Sequence, residues 1–223
     1  MSTAGDPALA AFRPECFHTR RIGGGNDLAQ YQRLLEQTYE PLGFMVSAVL
    51  PTAASMQYKV THCGRIVAIF RLTPVDDGDS AYFHLVPGAC ADGRPRRLLE
   101  VNNVVIASPF RATILLGLLL YESAKAAHRL GYDYVVGITR HQALKFFVDF
   151  GVVPVDHPPL RLLGKEHLLD FVIYYDTRSP ESIGYMHERA RRWFHQQYVL
   201  RSIHRKYVEP LRAPAAPALA VNA

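Results

Sequence analysis

The sequence predicts a mixed α/β fold, a sheet flanked by helices, and three observations predict it. The run Leu98 to Ala107 is apolar and β-branched, the mark of a buried strand, yet it carries Glu100, Asn102 and Asn103. From Arg111 to Leu130 apolar residues recur at helical spacing until Gly131 closes the helix. Tyr132 to Thr139 then reads as a second strand and His141 to Phe150 as a second helix, closed by Gly151. With 223 residues, 49% of them apolar, the chain can bury one substantial core, and one domain is expected.

Residues 1–14 and 213–223 are rich in small residues and proline and read as disordered tails around a folded region, 15–178, and a basic C-terminal helix, 179–212. Cys16 to Ile22 reads as a first strand. Gly23-Gly24-Gly25 lacks the Lys-Ser/Thr of a phosphate-binding loop and reads as a turn, with Asn26 or Asp27 capping the helix that follows. That helix, Asp27 to Tyr39, puts Leu28, Tyr31, Leu34, Leu35 and Tyr39 on one face, and Pro41 and Gly43 stop it. A mobile segment, Phe44 to Ser55, is expected next. Met56 to Thr61 and Arg65 to Leu72 flank His62-Cys63-Gly64, a hairpin signature. Asp76-Asp77-Gly78-Asp79 lacks the remaining ligands of a calcium loop and reads as a turn. Ala81 to Val86 reads as a short strand, Pro87 to Arg97 as a loop, Val152 to Pro159 as an irregular connection and Leu168 to Tyr175 as a last strand. Ser179-Pro180-Glu181-Ser182 opens the final helix, which runs to about Tyr207.

A net charge of +5 and a pI near 9.2 point to an anionic partner. The basic residues concentrate on the final helix, where Arg189, Arg191, Arg192, Arg201, Arg205 and Lys206 face Glu188 and Glu209. Neither aromatic–basic repeats nor a helix-turn-helix signature accompanies them, so nucleic acid is not the expected partner. Cys16, Cys63 and Cys90 form no C-x-x-C pair and the ten histidines form no H-E-x-x-H, so neither a disulfide framework nor a metal site is expected. No basic stretch precedes an apolar core at the N-terminus, and the apolar run Ile114 to Tyr121 falls far short of the roughly 20 residues that span a bilayer. A cytoplasmic protein without a transmembrane segment is expected, with peripheral membrane contact left open.

Glu100 is the leading candidate for chemistry. A carboxylate in a buried strand needs a partner, a water channel or a task, and partial burial raises its pKa toward that of a general base. It reads equally as an edge-facing partner of Arg71, Arg96 or Arg97. Asn102 and Asn103 read either as ligand-binding amides or as loop-satisfying ones, and Arg71 as a carboxylate clamp or a structural ion pair.

These residues, in this order, are similar to the core of the GNAT N-acetyltransferase superfamily over about Arg65 to Asp176. The strand with Glu100, the turn Ser108-Pro109-Phe110-Arg111, the long helix, the next strand and Ala143-Leu144-Lys145-Phe146-Phe147-Val148-Asp149-Phe150-Gly151-Val152 carry the resemblance. In that family the two stretches read roughly V-x-P-x-Y-R-G-x-G-x-G and A-x-x-F-Y-x-x-x-G-F. Here Arg111-Ala112-Thr113-Ile114-Leu115-Leu116 replaces the glycine-rich turn that cradles the coenzyme A pyrophosphate, and Phe147 replaces the tyrosine that protonates the leaving thiolate. Such losses resemble the acyl-homoserine lactone synthases and the long-chain N-acyl amino acid synthases, which take acyl groups from acyl carrier protein. Arg71 in Ile69-Phe70-Arg71-Leu72-Thr73-Pro74, the position of Glu100 and the helix before Leu42-Gly43-Phe44 are similar to that branch. The acidic residues and tryptophan of the lactone-synthase N-terminus are absent, which favours the amino acid synthases.

The resemblance implies a central mixed twisted sheet and an N-acyltransferase that moves a fatty acyl group from acyl carrier protein to an amino acid or similar small amine. It implies no tightly bound cofactor and acyl-phosphopantetheine or acyl-CoA as co-substrate. Glu100 would take the amine proton and Val105 lies in the strand Asn103 to Ile106 whose N–H groups would hold the oxyanion. Arg71, Asn102 and Asn103 would bind the acceptor, Phe110, Phe146, Phe147 and Phe150 would line the acyl tunnel, and Val104, Ile106, Arg111, Ala112 and Thr113 would meet the donor. An acyl- or acetyl-CoA-dependent N-acetyltransferase and a non-catalytic basic binding module on the same scaffold stay open as alternatives.

Overall fold

The computed structural model describes residues 17–42, 54–75, 83–87, 96–107, 110, 115–162 and 165–203. The hairpin read from His62-Cys63-Gly64 is present: β2 (Met56–His62) runs antiparallel to β3 (Arg65–Val75), with Cys63 at φ 47° and Gly64 at φ 75° between them. Two successive positive-φ residues make the type I′ turn whose twist suits a two-residue hairpin. Around this pair grows one sheet of eight strands in the order β1-β2-β3-β4-β5-β8-β6, with β7 also paired to β8. The remaining strands are β1 (Phe17–Arg21), β4 (Leu98–Ile106), β5 (Tyr134–Arg140), β6 (Val153–Pro154), β7 (Leu160–Leu162) and β8 (Lys165–Asp176). Every pairing is antiparallel except β4 with β5. The crossover between those two is α2 (Leu115–Arg129), as a parallel pair requires.

Helices cover both faces. α1 (Asn26–Tyr39) buries Tyr31 and Leu35 against Ile69 and Val105. On the other face α2 sets Leu115, Leu119 and Ala127 on Phe70, Leu72 and Leu99. α3 (His141–Asp149) and α4 (Pro180–Ile203) close that layer, where Met186 and Ala190 meet Phe150, Val152 and Ile173. Ser179 caps α4 by accepting the Ser182 N–H at 3.1 Å, ahead of Pro180 in the first turn. No helix among the described residues is long and apolar enough to cross a membrane.

Three local expectations change. Asn26 and Asp27 do not cap α1: the helix begins at Asn26, Gly25 precedes it at φ 62° with no side-chain cap, and Asp27 instead pairs with Lys59 of β2 at 2.5 Å. The strand expected at Ala81 to Val86 is, where described, a 3₁₀ turn at Phe83–Leu85. β3 and β4 pair directly with each other, so no ladder position is left between them, and Leu85 and Val86 bury against Leu98 and Tyr134 from a loop. The connection after Val152 contains β6, and β7 precedes β8, both short strands completed only by β8. The acidic turn at Asp76 to Asp79, the tails and most of the segment Phe44 to Ser55 lie outside the described residues.

Candidate active site

β4 and β5 pair over three registers, Leu98 with Tyr134, Leu99 with Val135 and Glu100 with Val136, and no further. Beyond them the strands part, and Glu100 sits at the fork. Gly137, the next residue of β5, comes so close to β4 that a Cβ there would stand 3.3 Å from the Val101 carbonyl oxygen, so any side chain would press on the apex. The parting continues through a β-bulge in β4. Ile69 pairs with Val105 but Arg71 with Asn102, so β4 spends three steps where β3 spends two, and Asn103 takes up the excess at φ 52°.

The bulge reorders side chains. Without it Asn102 and Asn103 would point to opposite faces. With it, Val101 and Val104 both pack on the α2 side, while Asn103 and Val105 turn toward α1. Past the bulge, Ala107 donates its N–H to the Val67 carbonyl at 2.9 Å. Alternation along an antiparallel ladder then directs the Val105 N–H to β3 and the N–H groups of Val104 and Ile106 toward the β5 side, where the strands have parted.

On the α1 face the fork gathers polar groups from four elements. Arg71 is buried, and its Nε donates to Asn102 Oδ1 at 2.6 Å. Asn102 also neighbours the Glu100 carboxyl, whose pKa is pushed above its ordinary value by burial, against the opposing pull of Asn102 and of the Arg71 charge. Tyr31 of α1 is buried, and burial raises its pKa, while the neighbouring Asn103 amide and Arg71 lower it. Tyr39, on the last turn of α1, is raised by burial and lowered first by Arg140, at the end of β5, and then by Arg71. Arg71 thus links the Glu100 carboxyl to the Tyr31 and Tyr39 phenols, and Arg140 adds a second positive charge beside Tyr39.

On the α2 face the fork opens into an apolar cavity of about 230 Å³. Val101 and Val104 of β4 and Val136 and Ile138 of β5 form one wall; Leu116, Leu119, Leu120 and Ser123 of α2 form another; Met186 of α4 and Tyr175 of β8 lie beyond. The Ser123 hydroxyl adds little polarity, because it donates within its own helix to Leu119 and Leu120 carbonyls.

The structure brings together Glu100, Arg71, Asn102 and Asn103 and sets Val104 at the cavity. Val105 differs: its side chain is buried toward α1 and its N–H belongs to the β3 ladder, because the bulge shifts the outward alternation to Val104. Of the four phenylalanines only Phe147 reaches the cavity. Phe146 and Phe150 pack edge-on against Trp193 of α4, with ring centroids 5.2 and 6.3 Å away, and Phe150 fills the space left by Gly117, where a Cβ would lie 2.7 Å from its ring. Phe110 lies 5.9 Å from the His62 ring. Arg111, Ala112 and Thr113 fall outside the described residues. On the basic helix, Arg191 and Arg192 both bond Glu188, at 2.9 and 2.8 Å, and hold its pKa at about 2, while Arg189 donates to the Asp149 carbonyl at 2.6 Å. Tyr31, Tyr39 and Arg140 were not singled out for the site from the sequence. The two tyrosines occupy an apolar helix face and read as core, and Arg140 ends an apolar strand with no local signal.

No protein-family model matches the chain, and no curated protein matches its sequence. Solved structures do match. The N-acyl amino acid synthase FeeM, from uncultured soil microbes, superposes with a TM-score of 0.58 at 12% identity, over 72% of this chain and 90% of that one. BjaI, a CoA-dependent acyl-homoserine lactone synthase, gives a TM-score of 0.58 at 18% identity, over 78% of this chain and 89% of its own. An N-acetyltransferase described as putative, from Lactobacillus plantarum, gives 0.56 at 12%, over 73% and 99%. At these identities the likeness is one of architecture, and it shows that this chain has a GNAT-like fold.

Proposed function

We propose that the protein is an N-acyltransferase that moves a fatty acyl group from the phosphopantetheine of acyl carrier protein to the amine of an amino acid or similar small amine. The observation that carries this reading is the position of Glu100: a carboxyl with a raised pKa at the point where β4 and β5 part, between a polar cluster on one face and an apolar cavity on the other. An acyl thioester threaded through the fork would place its chain in the cavity and its carbonyl beside the β4 bulge. The Val104 N–H, turned toward that opening, would stabilise the oxyanion. The acceptor, bound at Arg71, Asn102 and Asn103, would attack the carbonyl carbon. A C–N bond forms, the C–S bond breaks, the amine proton passes to Glu100 directly or through one water, and the sulfur leaves as thiolate. A cavity of about 230 Å³ far exceeds an acetyl group, which supports a longer acyl chain. The residues that replace a glycine-rich pyrophosphate turn, Arg111 to Leu116, support a carrier protein as donor, and the arginines of α4 supply a surface for its acidic face.

The test compares initial rates of transfer from octanoyl-carrier protein, octanoyl-CoA and acetyl-CoA to a mixture of the twenty common amino acids, with products read by mass spectrometry. N-octanoyl amino acid formed fastest from the carrier is expected. Preference for octanoyl-CoA would replace the donor and keep the reaction, preference for acetyl-CoA would overturn the fatty acyl assignment, and no transfer from any donor would leave a binding module.

A further inference from the structure

The Tyr31 hydroxyl is the one feature of the polar cluster that the fold alone does not use. The residue is 2% exposed, and its oxygen is buried with no hydrogen-bond partner among the described residues. Asn103 and Arg71 are its polar neighbours, yet the Asn103 amide does not complete a bond to it. A buried hydroxyl left without a partner costs stability, whereas phenylalanine would fill the same space at no such cost. The ring has an evident core role against Ile69 and Val105; the oxygen has none.

The charges around the hydroxyl state what would satisfy it. Arg71 acts on Tyr31, Tyr39 and Glu100, and Arg140 acts on Tyr39 as well. Against these two cations stands a single carboxyl, Glu100. A group that accepts hydrogen bonds and carries negative charge complements this arrangement, and a simple alkylamine carries no such charge. Resting on the acyltransferase reading above, we propose that Tyr31 binds the acceptor by donating its hydroxyl proton to a carboxylate held beside Arg71, so that the acceptor is an amino acid and not a simple amine.

The experiment pairs Tyr31→Phe with the wild-type chain. With octanoyl-carrier protein as donor, kcat/KM is measured for the best of the twenty common amino acids and for the amine made by its decarboxylation, and the unliganded proteins are melted. A hydrogen bond to a charged group corresponds to roughly a 10- to 100-fold effect. Tyr31→Phe is therefore expected to reduce the ratio of kcat/KM for amino acid over amine by about that factor, chiefly through KM, and to raise the melting temperature of the unliganded protein. An unchanged ratio would overturn the assignment of Tyr31 while leaving the acyltransferase intact. A lowered melting temperature would overturn it as well, by showing that the hydroxyl is bonded within the free protein. No product from the wild-type chain with any acceptor would overturn the enzyme reading itself, and the inference with it.

Discussion

Glu100 concentrates the chemistry of one residue. Its pKa is raised by burial from an ordinary 4.5, so in the folded chain the carboxyl holds its proton to higher pH than in the unfolded chain. Stability contributed by the neutral form is therefore complete below about pH 4.5 and falls as pH rises through the folded value. Glu100→Gln removes that fall: the variant should match the wild type in urea titrations at low pH and exceed it at neutral pH. Its kcat should drop by about 10² to 10⁴, the usual contribution of a general base. In the wild type, kcat/KM should rise along an acid limb as Glu100 ionises; a flat acid limb would remove Glu100 from proton transfer. The residue was legible in the sequence because a carboxylate interrupts an apolar β-branched run. Tyr31 and Tyr39 were not, since a tyrosine ring at a core position and a tyrosine hydroxyl at a site look the same in a helical periodicity. The direction of Val105 was hidden for a related reason: a period of two read along β4 takes no account of an inserted residue.

At the scale of an element, β4 is defined by its bulge. Asn103 at φ 52° occupies the left-handed region, which costs an L-residue roughly 1–2 kcal/mol, least for asparagine and more for a β-branched side chain. Asn103→Val should therefore destabilise the chain by about 2 kcal/mol in chemical denaturation, or slip the register of β4, and either result removes the Val104 N–H from the fork and abolishes transfer. Asn103→Gly satisfies the backbone angle and should hold stability to within about 1 kcal/mol. Equal loss of stability in both variants would show that the side chain, not the backbone angle, holds the bulge. Two amides in sequence announced a polar insert but not that they would share a face. α3 shows the same limit. Its aromatic cluster was visible, but Phe146 and Phe150, the residue that follows the last of the nine helical ones, lie four apart toward Trp193, and of the three only Phe147 turns to the cavity. The elements bounded by glycines were read closely, because Gly64, Gly131 and Gly151 all take positive φ where a turn or helix end demands it.

The whole molecule makes the cavity, and no single segment announces it. Its lining comes from α2, β3, β4, β5, α3, β8 and α4, so it exists only once the parallel pair, the crossover and the last helix are assembled. That assembly also limits what fits. Leu116, Leu119, Leu120, Ser123 and Ala124 line it along two turns of α2, a span of about 12 Å at about 1.5 Å per residue. A carbon–carbon bond of about 1.52 Å at a tetrahedral angle advances about 1.25 Å along an extended chain, so the span accommodates roughly nine or ten carbons. Met186 and Tyr175 also line it, and the tyrosine hydroxyl is fixed by donating to the Ser182 carbonyl at the start of α4. Transfer should therefore improve with each added methylene, by about fourfold per carbon at about 0.8 kcal/mol each, and then fall sharply beyond about ten carbons. Ala124 lines the cavity about two turns along α2 from Leu116, where a larger side chain takes room from the far methylenes of a chain laid along the helix. Ala124→Leu is expected to move the optimum to shorter chains by two or three carbons with little change in the rate for butyryl donors, read as kcat/KM over an even-numbered series from butyryl to tetradecanoyl. If the optimum stays where the wild type has it, the acyl chain lies elsewhere, and the apolar space between α2 and the forked strands is not its pocket.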